Sequence, residues 1–200
     1  VAFCNWQSRR EGLPPAYDMA DFATNMSSAL APNRSSAIGY RLPTESEWEA
    51  AAAWDPARFD PVAQGHWRCG YQSDTAAVNR ANYSNTNPQY LASAPYTSRA
   101  GFFNGVNVGT AGLTFNSSSA FGCYDMSGNV FEWCQDWWHA DYTGAPADGT
   151  AWESPSGSAR VLRGGSFYSP ASLLRSAKRL SVTPSSRSAN NGVRCSRPAP

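Results

Sequence analysis

Residues 41–54 read RLPTESEWEAAAAW, and this stretch contains the clearest secondary-structure signal in the chain. Thr44, followed three residues later by Glu47, forms a capping box, in which each side chain accepts a hydrogen bond from a free amide at the helix start. The alanines that follow favour a helix, and Asp55-Pro56 is expected to end it because proline disfavours helical geometry in the preceding residue. The stretch therefore predicts a helix from residue 41 to residue 54.

The composition around this helix indicates a loop-rich globular domain. The chain has 200 residues, 13% of which are aromatic, together with 16 glycines and 14 prolines. Disordered chains lack such an aromatic content, and this length suits one domain. We expect one α+β domain over residues 1–200, with a further helix over 1–10 and four short strands. The strands are predicted near Tyr124–Met126, Val130–Cys134, Arg160–Arg163 and Gly192–Ser196.

Charges are distributed unevenly along the sequence. All 15 acidic residues lie between Glu11 and Glu153, whereas the part from Ser154 onward contains seven arginines, Lys178 and no acid. A basic tail can bind nucleic acid, but these arginines are spread among Gly, Ser and Leu rather than clustered. Arginine is also favoured for buried bidentate ion pairs. We therefore expect the arginines to pair with acids inside one fold, and we expect no nucleic-acid partner.

Motifs of the common enzyme classes are missing from the sequence. It has no G-x-S-x-G elbow, P-loop or dinucleotide fingerprint, and two histidines are too few for a non-haem iron site. Five cysteines without a CxxC pair favour one or two disulfides. A zinc site assembled from His66, Cys69, Cys134 and His139 is the alternative.

The segment Gly128–Trp133 offers a different kind of site. Asn129 and Glu132 place an amide oxygen and a carboxylate three residues apart beside a glycine. Hard oxygen donors in a turn with free backbone carbonyls suit Ca²⁺. A turn followed by a strand whose Trp133 and Trp137 pack in the core explains the same residues, and the two interpretations are compatible.

Four motifs in the same order resemble the sulfatase-modifying family, whose namesake is the formylglycine-generating enzyme. They are residues 41–49, 124–133, 160–166 and 192–195. The resemblance implies an α+β, C-type lectin-like fold of the formylglycine-generating-enzyme type, loop-rich with short strands and few helices. Because Val1–Trp6 resembles a segment that normally follows an N-terminal β portion, the opening strands of the family's domain are expected to be missing from these residues.

The resemblance also argues against the family's oxidase activity. That enzyme holds copper through two cysteines, the third and eighth residues after its Gly-Gly-Ser motif. Ser169 and Leu174 stand at those positions here, and Cu(I) needs sulfur ligands. We therefore expect a protein that is not an enzyme.

Two stabilising features are implied by the same resemblance. One is a disulfide between Cys4 and Cys195, which match the paired cysteines of the family. The other is structural calcium, with Asn82 and Tyr83 at one site and Asn129 and Glu132 at the second.

Residues 160–195 resemble the variable region of proteins diversified by retroelements, such as the treponemal variable protein TvpA. A fixed frame alternates there with residues that follow no period. We call the frame Arg163, Gly164, Gly165, Ser166, Arg175, Ser176, Ala177, Arg179, Pro184, Arg187, Gly192 and Arg194. In such systems adenines of Asn-type codons are replaced at random, and thirteen interleaved positions hold residues reachable from AAC by changing its first two bases. These thirteen positions and Asn190 are the predicted ligand-binding residues. They are Phe167, Tyr168, Ser169, Pro170, Ser172, Leu173, Leu174, Leu180, Ser181, Val182, Ser186, Ser188, Ala189 and Asn190.

These expectations combine into a ligand-binding display protein whose residues 162–190 form the recognition surface. Its apolar and aromatic members should form a partly exposed patch of the kind that marks protein-binding surfaces. We expect a macromolecular ligand, namely a protein, and a monomer displayed outside the cell, bound to the membrane only through a lipid anchor outside this chain. The alternatives are a metal-dependent oxidase of the formylglycine-generating type and a calcium-dependent glycan-binding lectin.

Overall fold

The computed structural model describes residues 1–19, 38–58, 64–84, 96–109 and 112–198, and short elements separated by long loops make up its architecture. This arrangement agrees with the loop-rich α+β fold that the sequence predicts. The elements are α1 (Ala2–Arg10), α2 (Glu45–Ala53), β1 (Val108–Gly109), β2 (Gly112–Leu113), β3 (Phe131–Trp137), β4 (Arg160–Arg163), a 3-10 helix (Ala171–Leu173), β5 (Leu180–Val182) and β6 (Asn191–Gly192).

The capping box predicted at Thr44 is confirmed. Its hydroxyl accepts a hydrogen bond from the Glu47 amide at 3.0 Å, and the Glu47 carboxylate accepts one from the Thr44 amide at 2.9 Å. The same carboxylate forms a two-pronged pair with Arg41, with both nitrogen–oxygen distances at 2.7 Å. Helix α2 ends at Ala53 because Trp54 takes an extended conformation with ψ 133°.

The central sheet has the strand order β5-β4-β3-β6. Strands β4 and β5 each run antiparallel to their inner neighbour, whereas β6 runs parallel to β3. The register places Glu132 opposite Arg163 and opposite Gly192, so the beginning of β3, the end of β4 and β6 all meet at one end of the sheet.

Two predicted strands differ from the structure. Residues 124–126 are not a strand, because Asp125 adopts a left-handed conformation with φ 59° that interrupts extended backbone. The predicted strand at 192–196 is only the short β6, after which Ser196 forms an isolated bridge with Arg41. The hairpin of β1 and β2 follows no periodicity and was not predicted.

A buried arginine joins α2 to the sheet. Arg163 is fully buried and bonds Glu45, Glu49 and the carbonyl of Ser176, while its guanidinium carbon lies 5.1 Å from the Trp48 ring centroid. Burial alone would lower the pKa of Arg163, but the two carboxylates raise it above its ordinary value. The arginine is therefore held charged within the core.

The predicted pairing of the tail arginines with acids of the earlier chain is confirmed. Arg179 bonds Glu45 with its Nε at 2.6 Å and its Nη2 at 2.8 Å. Further pairs link Arg194 to Glu132 at 2.7 Å and Arg160 to Glu153 at 2.9 Å. With Arg163, four of the eight bases in the tail are thus paired with acids inside the fold. In the described ranges, no helix has both the length and the apolar character needed to span a membrane.

Candidate functional site

The turn after β4 allows little freedom in its backbone. Gly164 and Gly165 have φ values of 92° and 78°, in the left-handed region that favours glycine. A Cβ added to Gly165 would also lie 2.9 Å from the Leu173 carbonyl oxygen. This part of the frame therefore fixes the path of the chain into the predicted variable residues.

Phe167 is a correction to the predicted surface, because it is only 2% exposed. Its amide donates to the Asn129 carbonyl at 2.9 Å, and its ring centroid lies 6.3 Å from that of Tyr96. The turn directs this side chain inward, toward the loop that contains Tyr96. Tyr168 has the opposite orientation and is 65% exposed, as predicted.

Ser169 and Leu174 are also buried rather than displayed, at 3% and 0% exposure. The Ser169 hydroxyl accepts a hydrogen bond from the Ser166 amide at 2.9 Å. The 3-10 helix places Leu174 in an apolar cluster that includes Tyr71 and Tyr83. Both positions, at which the family's oxidase has copper-binding cysteines, are therefore part of the packed interior.

The other predicted ligand-binding residues are exposed or partly exposed. Those exposed are Tyr168, Pro170, Ser172, Ser181, Ser188 and Ala189, and those partly exposed are Leu173, Leu180, Val182, Ser186 and Asn190. They do not lie on one strand, since β5 and β6 occupy opposite edges of the sheet.

Two loops converge beside Val130, at the beginning of β3. The amide of Phe167 donates to the Asn129 carbonyl at 2.9 Å, and the carbonyl of Asn190 accepts from the Phe131 amide at 2.8 Å. Residues 167–170 and 188–190 are therefore attached on either side of a single residue, and we call them the recognition loops. The sequence pattern predicted the residues but not this meeting point, which depends on the parallel pairing of β6.

The predicted calcium ligand Glu132 is occupied by other groups. Its Oε2 accepts hydrogen bonds from Trp48 Nε1 and Arg194 Nε, each at 2.7 Å, and its Oε1 accepts from Arg194 at 2.7 Å. Asn129 is directed elsewhere, because its Oδ1 accepts from the Ser98 amide at 2.9 Å. Both side chains are thus engaged by protein donors, and calcium at Asn129 and Glu132 stays a prediction.

Asn82 has a different environment that suits a cation. It is 1% exposed, and its Nδ2 donates to the Tyr96 carbonyl at 2.8 Å. Its Oδ1 and the Ser98 hydroxyl are both buried and have no hydrogen-bond partner among the described residues. Buried oxygens without partners are costly, and oxygen ligands are those that Ca²⁺ takes. Ser98 was missed because no sequence motif marks it.

The cysteines and histidines do not form the alternative zinc site. In the described ranges, no three His, Cys, Asp or Glu side chains are grouped in a way that could hold a metal. Cys134 is buried in the core, and His139 stacks on Trp152 with ring centroids 3.6 Å apart. Cys4 and Cys195 do come together, with their sulfurs 3.4 Å apart and not bonded, so the disulfide stays a prediction.

Comparison with known proteins relates this geometry to characterised sequences. Residues 1–199 match the model of the Sulfatase-modifying factor enzyme 1-like domain. The chain is 36% identical over 169 residues to Formylglycine-generating enzyme of Thermomonospora curvata, covering 78% of this chain and 49% of that protein. It is 34% identical over 164 residues to Serine/threonine-protein kinase pkn1 of Chlamydia pneumoniae, covering 80% of this chain and 21% of that protein. The chain thus spans about half or less of these relatives.

A solved structure extends the similarity to the fold. Treponema denticola variable protein 1 superimposes with a TM-score of 0.59 at 27% identity, covering 98% of this chain and 67% of that one. The predicted resemblance to the formylglycine-generating-enzyme family and to treponemal variable proteins is confirmed, as is the α+β fold of that type. The chain belongs to the family of the Sulfatase-modifying factor enzyme 1-like domain.

Proposed function

We propose that this chain is a non-enzymatic display protein that binds a macromolecular ligand through its recognition loops. The supporting observation is the alternation between Phe167 and Tyr168. Phe167 is 2% exposed and Tyr168 is 65% exposed, so adjacent residues separate into an anchor and a displayed side chain. Burial of every second residue in this loop leaves the outward positions free to vary.

The residues at the copper positions support a function without oxidase chemistry. Ser169 and Leu174 provide no thiolate, and both are buried in a hydrogen-bonded turn and an apolar cluster. Copper would need two sulfur ligands that converge on an accessible space. Family membership alone does not supply the activity, because function depends on the residues of the site.

The chemistry of the recognition loops favours a protein as the ligand. A large aromatic side chain surrounded by serines is typical of paratopes, in which Tyr provides contact area and Ser provides adaptable hydrogen bonds. Tyr168 is followed by Pro170 and Ser172, and Ser188 lies on the second loop. A nucleic-acid ligand is not favoured, because most of the arginines buried in the fold already pair with carboxylates and cannot contact phosphates. The proposal includes display of a monomer at the cell surface through a lipid anchor outside this chain.

Calcium in this proposal is structural and is held at Asn82. The Oδ1 of Asn82 and the Ser98 hydroxyl would provide two of its oxygen ligands, and the ion would supply positive charge between them. Asn82 also accepts the Asn129 amide on its carbonyl at 2.7 Å, and Asn129 in turn accepts the Phe167 amide. The site would therefore stabilise the base of the first recognition loop.

Diversification by a retroelement can be tested by sequencing this locus in sister isolates. We expect substitutions to be confined to the interleaved positions, with the frame unchanged and with Tyr168, Pro170, Ser172, Ser181, Ser188 and Ala189 varying most. Substitutions scattered evenly over residues 1–200, or frame residues that vary as often as Tyr168, would contradict the proposal.

The rival function is an oxidase of the formylglycine-generating type, and the similarity to Formylglycine-generating enzyme of Thermomonospora curvata favours it. The test is incubation with copper and a cysteine-containing peptide, followed by mass spectrometry of the peptide. We expect no stoichiometric copper binding and no conversion of cysteine to an aldehyde. Turnover by this chain would establish the rival and exclude the display function as the primary role.

A further inference from the structure

A cavity of about 330 Å³ opens beside α2, and its described lining includes no residue of 160–195. Glu45 and Glu49 form one wall, and the rings of Trp54, His66 and Tyr142 form the others. Trp54 is 40% exposed, so its ring is accessible to a ligand, whereas the Arg179 guanidinium already lies 4.4 Å from the Tyr142 ring centroid. The cavity therefore combines carboxylates with one open aromatic surface.

The same combination surrounds arginines elsewhere in this molecule. The Arg160 guanidinium lies 3.5 Å from the Trp137 ring centroid and pairs with Glu153. The Arg58 guanidinium lies 3.8 Å from the Trp67 ring centroid and pairs with Asp74.

Arg163 repeats this arrangement with Trp48 and with the glutamates of α2. The cavity offers Trp54 as the ring and Glu49 as the carboxylate, yet no arginine belongs to its described lining. Trp54 and the second carboxylate oxygen of Glu49 thus offer the components of one further arginine site.

The two carboxylates differ in how much bonding capacity remains. Glu45 already accepts hydrogen bonds from Arg163, Arg179 and the Tyr142 hydroxyl. Glu49 uses its Oε2 for Arg163, and its Oε1 has no partner among the described residues. The Glu49 side chain is 31% exposed, so this oxygen can accept a donor that enters the cavity.

This lining selects the chemistry of a ligand. Arg163 and Arg179 already balance the charge of the two carboxylates, so the open Glu49 oxygen and the Trp54 ring determine which ligand can bind. A ligand without hydrogen-bond donors would remove that oxygen from water without replacing its hydrogen bonds. A guanidinium can stack on an indole ring and donate to a carboxylate at the same time. We propose that the cavity binds the arginine side chain of a partner polypeptide.

The experiment compares N-acetyl-arginine amide with N-acetyl-citrulline amide, which has nearly the same shape but no charge. Binding is followed by the NMR signal of the Trp54 indole N–H, assigned from its loss in Trp54→Leu. We expect the arginine compound to shift this signal at millimolar concentrations, the citrulline compound to bind about tenfold more weakly, and added salt to reduce binding.

Variants distinguish the cavity from general surface effects. We expect Glu49→Gln to weaken arginine binding about fivefold. In Trp54→Leu, binding is followed by the NMR signals of the Tyr142 ring, and we expect the arginine compound no longer to shift them. The matched controls are Glu11→Gln and Trp6→Leu, which remove an exposed carboxylate and a 51% exposed indole outside the cavity lining and should leave binding unchanged. Because Glu49 also pairs with Arg163, the melting temperature of each variant is recorded alongside.

Equal shifts with the arginine and citrulline compounds would overturn the proposal. So would binding that persists in Trp54→Leu, or no shift of the Trp54 signal at about 50 mM of the arginine compound, a concentration that should saturate even a weak single-residue site. The outcome is independent of the proposed function, since the recognition loops take no part in the described lining.

Discussion

The buried residues of the frame and the exposed residues of the recognition loops lie in the same stretch of chain but differ in their bonding to the rest of the fold. Arg163 and Ser176 of the frame are buried and bonded to each other, with the Ser176 carbonyl accepting from the guanidinium. Tyr168 and Ser188 are exposed, and the Ser188 hydroxyl bonds its close neighbour Asn190. The difference shows that a few buried side chains can fix the backbone of a short segment. The exposed side chains between them then contribute little to the stability of the fold.

The largest effect on stability is expected for Arg163→Met, which removes a buried side chain of the frame. Removing the guanidinium leaves the buried Glu45 and the partly exposed Glu49 without their shared partner, and breaking a buried pair from one side costs about 4 kcal/mol. The free energy of unfolding is measured by urea titration. The control is Arg175→Met, an exposed frame arginine, which should cost less than about 0.5 kcal/mol. Equal losses for the two variants would show that Arg163 does not anchor the frame.

A second test uses the adjacent pair Phe167 and Tyr168. Phe167→Ala should lower the free energy of unfolding by about 3 kcal/mol, because it leaves a cavity under a side chain that is 2% exposed. Tyr168→Ala should lower it by less than about 0.5 kcal/mol, because that ring is 65% exposed. A comparable loss for Tyr168→Ala would mean that this ring supports the fold and is not merely displayed.

The sequence predicted the elements of the frame better than the orientation of the loops. Thr44 and Glu47 identify α2 because a capping box is a local signal, complete within four residues. The burial of Phe167 could not be predicted, since it depends on Tyr96 and Asn129, which are distant in sequence.

The candidate metal residues show the same limit. Glu132 lies in a motif that suits calcium, but Arg194, 62 residues further on, takes both of its oxygens. Asn82 and Ser98 instead have buried side-chain oxygens without a partner among the described residues, and the sequence signal for this was the resemblance at Asn82. Spacing along the chain therefore indicates which residues are capable of a role, whereas the tertiary partners decide which of them is available for it.

A third prediction concerns the disulfide between Cys4 and Cys195. The sulfurs of Cys4 and Cys195 lie 3.4 Å apart, so oxidation should join α1 to the chain that follows β6. We expect oxidised protein to be about 2–3 kcal/mol more stable than reduced protein, the difference being lost in Cys4→Ser. Thiol counting and urea titration with and without reductant measure both quantities. No effect of reductant on the wild-type protein would contradict the prediction.

The smallest expected effect is that of Asp125, which lies outside the variable region. Burial raises the pKa of this carboxyl, although the Gly101 amide and Arg194 act in the opposite direction. The folded state therefore binds a proton more tightly than the unfolded state does. The stability contributed by this group is complete below the unfolded pKa of about 3.9 and is lost as pH rises through the folded pKa.

Asp125→Asn should remove that pH dependence. The amide keeps an acceptor for the Gly101 amide, which donates at 2.6 Å, and asparagine tolerates the φ of 59° at this position. At neutral pH we expect the variant to be more stable by less than about 1 kcal/mol, with no gain near pH 3.5. Unfolding curves at both pH values check the sign, and a gain that is larger at low pH would refute the assignment.

The most direct measurement of the central claim is a comparison of two displayed libraries, each selected for resistance to proteolysis. One is randomised at the six exposed positions Tyr168, Pro170, Ser172, Ser181, Ser188 and Ala189, and the other at the six frame positions Arg163, Gly164, Gly165, Ser166, Ser176 and Arg179. We predict that most clones of the first library keep the fold and that almost none of the second do. Similar survival in the two libraries would contradict the account, because the frame and the exposed variable positions would then not differ in their structural roles.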